Sequence, residues 1–326
     1  MSEKILSVRG LTVKYISREV GTCNAVNDVS FDVEKGETVG LVGETGAGKT
    51  TIALSIMRLL QMPPARITSG EILLDGEDLL KMPDSRMRKI RGDRISMIFQ
   101  DAMTALNPID RVGDQISEMV QLHLSLNKLQ AAAKAAEMLE MVGIPSTRYG
   151  DYPHQFSGGM KQRVVIAIAL ACKPELLLAD EPTTALDVTI QAQVLNMMKG
   201  LKNELGTSMV LITHDLGVVA ETCDRVAVVY AGEIVEVGTA ETVFEKRSHP
   251  YTTGLFNSLP DITGARKRLE PIIGLMPDPT ALPEGCKFSP RCPFCDEACT
   301  QGPVGLRRES GAHFVRCLKT DENQGA

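Results

Sequence analysis

The chain has 326 residues, 43% of them hydrophobic and 23% charged, a make-up that suits a soluble globular protein with one large domain and an appendage at about 100–200 residues per domain. Its formal net charge of −6 speaks against a nucleic-acid binder, which ordinarily carries a basic face. The opening residues lack the apolar core of an export signal, and the longest apolar run, Val164 to Cys172, falls short of the roughly 20 residues that a spanning helix needs.

In chain order, Ile5–Tyr15 and Val26–Val33 alternate as strands do. Glu37–Val42 is an apolar run, broken by Gly43–Gly48 and followed by a helical pattern from Lys49 to Leu60. Further strands are predicted at Glu71–Leu74 and Ile95–Phe99, around an Asp75-Gly76 turn. Helical periodicity dominates from Asp101 to about Arg163, with Lys128–Val142 ending at Gly143, where a C-cap glycine belongs. Strand signals return at Leu176–Ala179, Ser208–Thr213 and Arg225–Tyr230. Between the first two, Val194, Met198, Leu201 and Leu205 share one helix face ahead of Gly206. Strands alternating with helices predict an α/β fold on a mainly parallel sheet. After about Thr239 the periodicity loosens among Pro250, Pro260, Pro271, Pro277, Pro279 and Pro283, so a domain over 1–240 and an extension over 241–326 are expected.

Three motifs carry chemistry. Gly43-Glu44-Thr45-Gly46-Ala47-Gly48-Lys49-Thr50, followed by Thr51, fits a phosphate-binding loop of the P-loop NTPase type. Small residues let successive N–H groups close on phosphate oxygens at a helix N-terminus. Lys49 would reach the β- and γ-phosphates and Thr50 would offer its hydroxyl to Mg²⁺. Leu176-Leu177-Leu178-Ala179-Asp180-Glu181 would deliver carboxylates at a buried strand's C-terminal end, Asp180 for Mg²⁺ and Glu181 to polarise the attacking water. The third is Phe156-Ser157-Gly158-Gly159-Met160-Lys161-Gln162-Arg163. Taken singly, these also read as a glycine turn, a solvated acidic turn and a helix N-cap serine.

Together they resemble the ATP-binding cassette (ABC) proteins, whose signature is usually Leu-Ser-Gly-Gly-Gln; here Phe156 and Met160 depart from it. The resemblance implies an ABC-type nucleotide-binding domain with an antiparallel β subdomain, a helical subdomain at about 101–163 and a cysteine-bearing C-terminal extension. It assigns Gln100 to the Q-loop, with a contact to Mg²⁺, His214 to the switch histidine and Thr184-Ala185-Leu186-Asp187 to the D-loop. Tyr15 would stack on adenine. Ser157, Gly158, Gly159 and Asp187 would act on ATP held by a partner ATPase, so that ATP and Mg²⁺ sit in a composite site.

Three stretches resemble the ATPases of dipeptide and oligopeptide importers: Met97–Pro108, His249-Pro250-Tyr251-Thr252-Thr253-Gly254-Leu255 and Pro283–Pro293. That implies a peripheral subunit on the cytoplasmic face of the membrane, partnered by two permease subunits and a second, related ATPase. An extracytoplasmic solute-binding protein would act indirectly. Nickel or another small solute is the alternative cargo. A soluble ABC ATPase would bring paired cassettes or long insertions, which are not seen, and a P-loop kinase or GTPase would lack Ser157–Gly159 and Asp187.

Of the eight cysteines, five crowd the tail. Without an export signal, clustered thiols point to metal sooner than to disulfides. Cys286, Cys292, Cys299 and Cys317 are spaced like the four-cysteine tail of peptide-importer ATPases, which implies a 4Fe–4S cluster. Cys295 completes a Cys-x-x-Cys with Cys292, so a zinc knuckle stays open as an alternative, as do reduced thiols.

Overall fold

The structure, a computed structural model, describes residues 3–19, 21–184, 186–258 and 271–320. Ala185 of the expected D-loop and Pro260 lie outside the described residues.

The chain opens with β1 (Lys4–Ser17) and β2 (Gly21–Glu34), then β3 (Thr38–Val42) and α1 (Lys49–Ile56). The helix expected to reach Leu60 stops early because Arg58 takes a left-handed φ of 51°, which no α-helix sustains. There follow β4 (Ala65–Leu74), β5 (Glu77–Asp78), α2 (Asp84–Ile90) and β6 (Ile95–Ile98), with Phe99 already exposed. The helical stretch holds α3 (Ala102–Ala105), α4 (Val112–Leu124), α5 (Lys128–Met141) and α6 (Gly158–Leu170). Asn127 and Gln130 close a reciprocal capping box at the start of α5. Next come β7 (Leu176–Asp180), α7 (Val188–Leu205), β8 (Ser208–Thr213), α8 (Leu216–Thr222), β9 (Arg225–Tyr230) and β10 (Glu233–Thr239). The tail adds α9 (Ala240–Glu245), α10 (Pro250–Asn257), β11 (Arg307–Ser310) and β12 (His313–Val315). Among the described residues no helix is long and apolar enough to cross a membrane.

Two compact units are distinguishable. The first comprises Met1–Leu6, Asp32–Thr38 and Leu73–Ile212. Its strands β6, β7 and β8 pair in parallel, with Ile95 opposite Leu176 and Leu176 opposite Ser208. All five residues of β7 are buried, which explains why this strand reads as a continuous apolar run without alternation. Helix α6 turns Val164, Val165, Ile166, Ala167, Ala169 and Leu170 inward.

The second unit comprises Ser7–Phe31, Val39–Ile72 and Thr213–Ala326. Here β3 runs parallel to β9, Val39 opposite Arg225 and Val42 opposite Val228. Strand β10 is antiparallel to β9, β12 to β10 and β11 to β12. The sequence signals missed β10, although five of its seven residues are buried, and β11 and β12, whose four and three residues are too few to display a period. The tail is thus woven into this unit's sheet.

A buried carboxylate reinforces the weave. Glu236 of β10, fully buried, accepts the N–H groups of Ser248 and His249 at 2.9 and 3.0 Å and pairs with His313 Nε2 at 2.8 Å. Its hydrogen-bonding needs are met by three separate tail groups, as a buried carboxylate requires. The Glu236 carboxylate raises the His313 imidazole above its ordinary range.

Candidate functional site

The phosphate loop lies in the second unit, between buried β3 and α1. Its glycines are obligatory on steric grounds. Gly43 has φ 153°, and a Cβ there would come within 2.1 Å of the Val229 carbonyl oxygen. Gly48 has φ 104°, and a Cβ would meet the Ala25 carbonyl oxygen at 2.5 Å. Gly46 has φ 83° and faces the Met276 methyl. Only glycine takes such conformations without a penalty. Lys49 is buried, and its ammonium donates to the carbonyls of Gly43 (2.7 Å) and Glu44 (3.0 Å), arching back over the loop's first residues. Thr50 is exposed and Thr51 half-buried, while Thr45 and Ala47 complete the turn, with Ala47 N–H bonded to the Glu44 carbonyl at 3.2 Å.

The same unit holds His214, exposed just after β8. Asp215 caps α8 through Gly217 N–H (2.9 Å) and Val218 N–H (3.2 Å). Tyr15 is half-buried on β1.

The first unit carries the acidic pair. Asp180 closes β7 and is buried. Glu181 turns the chain with φ 46°, its N–H held by the Ile212 carbonyl at 2.8 Å. Its Oε2 accepts from Gln100 Nε2 and from Thr184 Oγ1, each at 3.0 Å. Gln100 is exposed two residues beyond β6, so the structure brings the expected catalytic carboxylate and the expected Q-loop glutamine into contact. The sequence marks Thr184 only as part of the D-loop run and gives its hydroxyl no role.

Ser157 N-caps α6, accepting the Met160 N–H at 3.4 Å, and Gly158 and Gly159 form its first turn. A Cβ on Gly159 would strike the Ile190 side chain at 2.7 Å. Phe156, in place of the usual leucine, is buried beneath the Arg148 guanidinium, 4.2 Å from its ring centroid. Asp187 N-caps α7 through the Ile190 N–H at 2.9 Å.

A second cluster, formed by the end of β9 and the tail, flanks the phosphate loop. Tyr230, Tyr251 and Phe288 pack edge-on and tilted, with ring centroids 4.5 to 5.5 Å apart. His249 accepts the Tyr251 N–H on Nδ1 at 3.1 Å and so starts α10, with Pro250 at its first position. Burial pushes the His249 imidazole down to about 4, which keeps it neutral. The Tyr251 hydroxyl accepts the Glu44 N–H at 2.9 Å, and Arg291 pairs with the Glu44 carboxylate at 2.9 and 3.2 Å. Sequence reasoning gave Tyr251 and Arg291 no role, although both stand in the stretches that carried the importer resemblance.

Cys286, Cys292, Cys299 and Cys317 line one small cavity, whereas Cys295 is exposed and is not part of its wall. Burial pushes the Cys286 and Cys292 thiols up to about 11. The donor chemistry is that of a soft metal centre, yet among the described residues no group of three or more His, Cys, Asp or Glu side chains is arranged to hold a metal ion. As they stand, the thiols are not arranged as a formed 4Fe–4S or zinc site.

The glycine loop, the acidic strand end and the Ser-Gly-Gly helix start define a P-loop ATPase of the ABC class. The family model described as "ABC transporter" matches residues 26–184, and that of the oligopeptide/dipeptide transporter C-terminal region matches 235–299. The chain is 50% identical to the dipeptide transport ATP-binding protein DppD of Bacillus subtilis, over 98% of this chain and 96% of that one. It is 46% identical to the oligopeptide transport ATP-binding protein OppD of Haemophilus influenzae, over 92% of each. Among solved structures, the ATP-binding cassette MJ0796, a dimer in a post-hydrolysis state bound to ADP and Pi, matches with a TM-score of 0.65 at 28% identity. That match covers 72% of this chain and 98% of the other. This chain belongs to the ABC transporter ATP-binding proteins, in the dipeptide and oligopeptide transport family.

Proposed function

We propose that this chain hydrolyses ATP to drive the import of dipeptides or oligopeptides through a membrane ABC transporter. The observation that carries the reading is the Glu181 carboxylate, fixed by two side-chain hydrogen bonds at the end of the buried β7. In this reading the amides of residues 43–51 and the Lys49 ammonium bind the phosphates, Tyr15 stacks on adenine and His214 contacts the γ-phosphate. Thr50, Asp180 and Gln100 supply oxygen donors, the kind Mg²⁺ prefers, and the ion would offset the charge of the phosphates. Glu181 accepts the proton of the attacking water. Ser157, Gly158, Gly159 and Asp187 serve the ATP of a second, related ATPase subunit, which makes the site composite. Two permease subunits and the cytoplasmic membrane face complete the assembly, with residues 1–240 as the ATPase part and 241–326 as the extension.

The test is Glu181→Gln beside Lys49→Ala in the reconstituted transporter. Glu181→Gln keeps ATP binding and lowers turnover by at least about 100-fold, whereas Lys49→Ala loses ATP binding itself. Wild-type turnover in Glu181→Gln removes that residue from the role.

For the tail, we propose a structural 4Fe–4S cluster on Cys286, Cys292, Cys299 and Cys317. The one supporting observation is that these four share a cavity and Cys295 does not. Anaerobically purified protein is then brown, with about four irons and four sulfides per chain. About one zinc and no iron turns the reading to zinc, and metal-free protein ends both.

A further inference from the structure

An acidic side chain is an odd tenant for an anion-binding loop. Glu44 directly follows Gly43, and like charge beside a bound triphosphate costs affinity. The structure gives that charge a dedicated partner. Arg291 grips the Glu44 carboxylate with two parallel N–H···O bonds, at 2.9 and 3.2 Å, and its own side chain is only 5% exposed. The guanidinium is itself anchored, donating to the Ile273 carbonyl at 3.2 Å, the Ile272 carbonyl at 3.4 Å and the Tyr230 hydroxyl at 3.3 Å. Two more tail residues meet the same loop: the Tyr251 hydroxyl takes the Glu44 N–H, and the Met276 methyl abuts Gly46. Pro279 extends the attachment, its carbonyl accepting the Asn24 N–H at 2.8 Å. All these contacts lie inside the second unit, and Arg291 immediately precedes Cys292.

We propose that Arg291 is a positioning residue for nucleotide binding: it neutralises and immobilises Glu44, so that the folded tail sets the conformation and charge of the phosphate loop. Bidentate arginine pairing has the required geometry, since the planar fork fixes direction as well as charge. The tail thereby reports its own folding to the ATP site. The inference rests on the reading of residues 43–51 as the phosphate-binding loop.

The experiment measures binding of a fluorescent ATP analogue to the full chain at low and high salt, for wild type, Arg291→Ala, Arg291→Ala with Glu44→Gln, and Lys49→Ala. Arg291→Ala weakens binding by on the order of tenfold, more at low salt because the unpaired carboxylate then repels the ligand unscreened. Removing that charge with Glu44→Gln in the same chain restores most of the affinity, which a merely structural role for Arg291 would not do. A double variant as weak as Arg291→Ala, or an Arg291→Ala that binds like wild type while Lys49→Ala loses binding, overturns the proposal and leaves the loop reading intact. Wild-type binding by Lys49→Ala defeats the loop reading and the proposal with it. Should Arg291→Ala fail to fold, Arg291→Lys takes its place in the cycle, keeping the charge and losing the fork. It is expected to bind with intermediate affinity, recovered by Glu44→Gln, and absence of that recovery overturns the proposal.

Discussion

The phosphate loop and the acidic turn after β7 each follow a buried parallel strand, yet they are held in different ways. The loop is fixed by the backbone. Gly43 and Gly48 press against the Val229 and Ala25 carbonyls at distances that admit no side chain, and Tyr251 and Arg291 brace Glu44 from the tail. The acidic turn is aimed by side chains: Glu181 depends on Gln100 and Thr184, two polar groups at an exposed surface. Under the proposed roles, the difference separates two tasks. Binding a triphosphate needs amides already in place, since reorganising a backbone at each turnover would consume binding energy. Aiming a general base through side-chain hydrogen bonds leaves it adjustable, because each such bond contributes only about 1 kcal/mol net.

Substitutions can break or sharpen this contrast. The largest effect is expected from Gly43→Ala, which sets a methyl group 2.1 Å from a carbonyl oxygen at φ 153°. Stability should fall by about 2–4 kcal/mol and ATP turnover on the order of 100-fold, read by thermal unfolding and steady-state kinetics. An active, stable Gly43→Ala protein would mean that the loop yields, and that it is no more rigid than the acidic turn. A smaller change is expected from Thr184→Val, which removes one of the two hydrogen bonds to Glu181 Oε2. Turnover should drop roughly fivefold, the equivalent of about 1 kcal/mol, with KM for ATP little altered and Thr184→Ser restoring the rate. A loss as deep as that of Gly43→Ala would show the acidic turn to be as rigidly determined as the loop.

Legibility in the sequence followed the same line. The loop announced itself because its glycines and Lys49 occupy fixed spacings within a strand–loop–helix context, and the structure returns that context with the glycines at positive φ. Asp180 and Glu181 were legible from the apolar run that ends at them. Strands Ser208–Thr213 and Arg225–Tyr230 were read to the residue, because both are buried over nearly their whole length. The tail is only loosely periodic in sequence, which hides its strands β11 and β12. Arg307–Ser310 has no apolar residue and His313–Val315 only two; β12 pairs with β10, nearly eighty residues away in the chain, and β11 joins the sheet through β12.

What the sequence by itself determined is the chemistry that local spacing encodes: a loop of glycines with a lysine, a strand ending in carboxylates, a helix opened by Ser157. These need only a few consecutive residues, and short-range sterics and hydrogen bonding do the rest. What the tertiary structure alone decided is which distant groups complete them. Arg291 lies 247 residues from Glu44 and Gln100 lies 81 from Glu181, separations at which no periodicity or motif spacing survives. Burial obliges Arg291 to find a partner, whereas Gln100 and Glu181 meet at an exposed surface because β6 and β7 pair in parallel and end side by side, with Ile98 opposite Ala179. For the tail cysteines the resemblance implied one shared centre; the fold puts Cys286, Cys292, Cys299 and Cys317 in the wall of a single cavity and leaves Cys295 outside it, but among the described residues it arranges no such group to hold a metal ion.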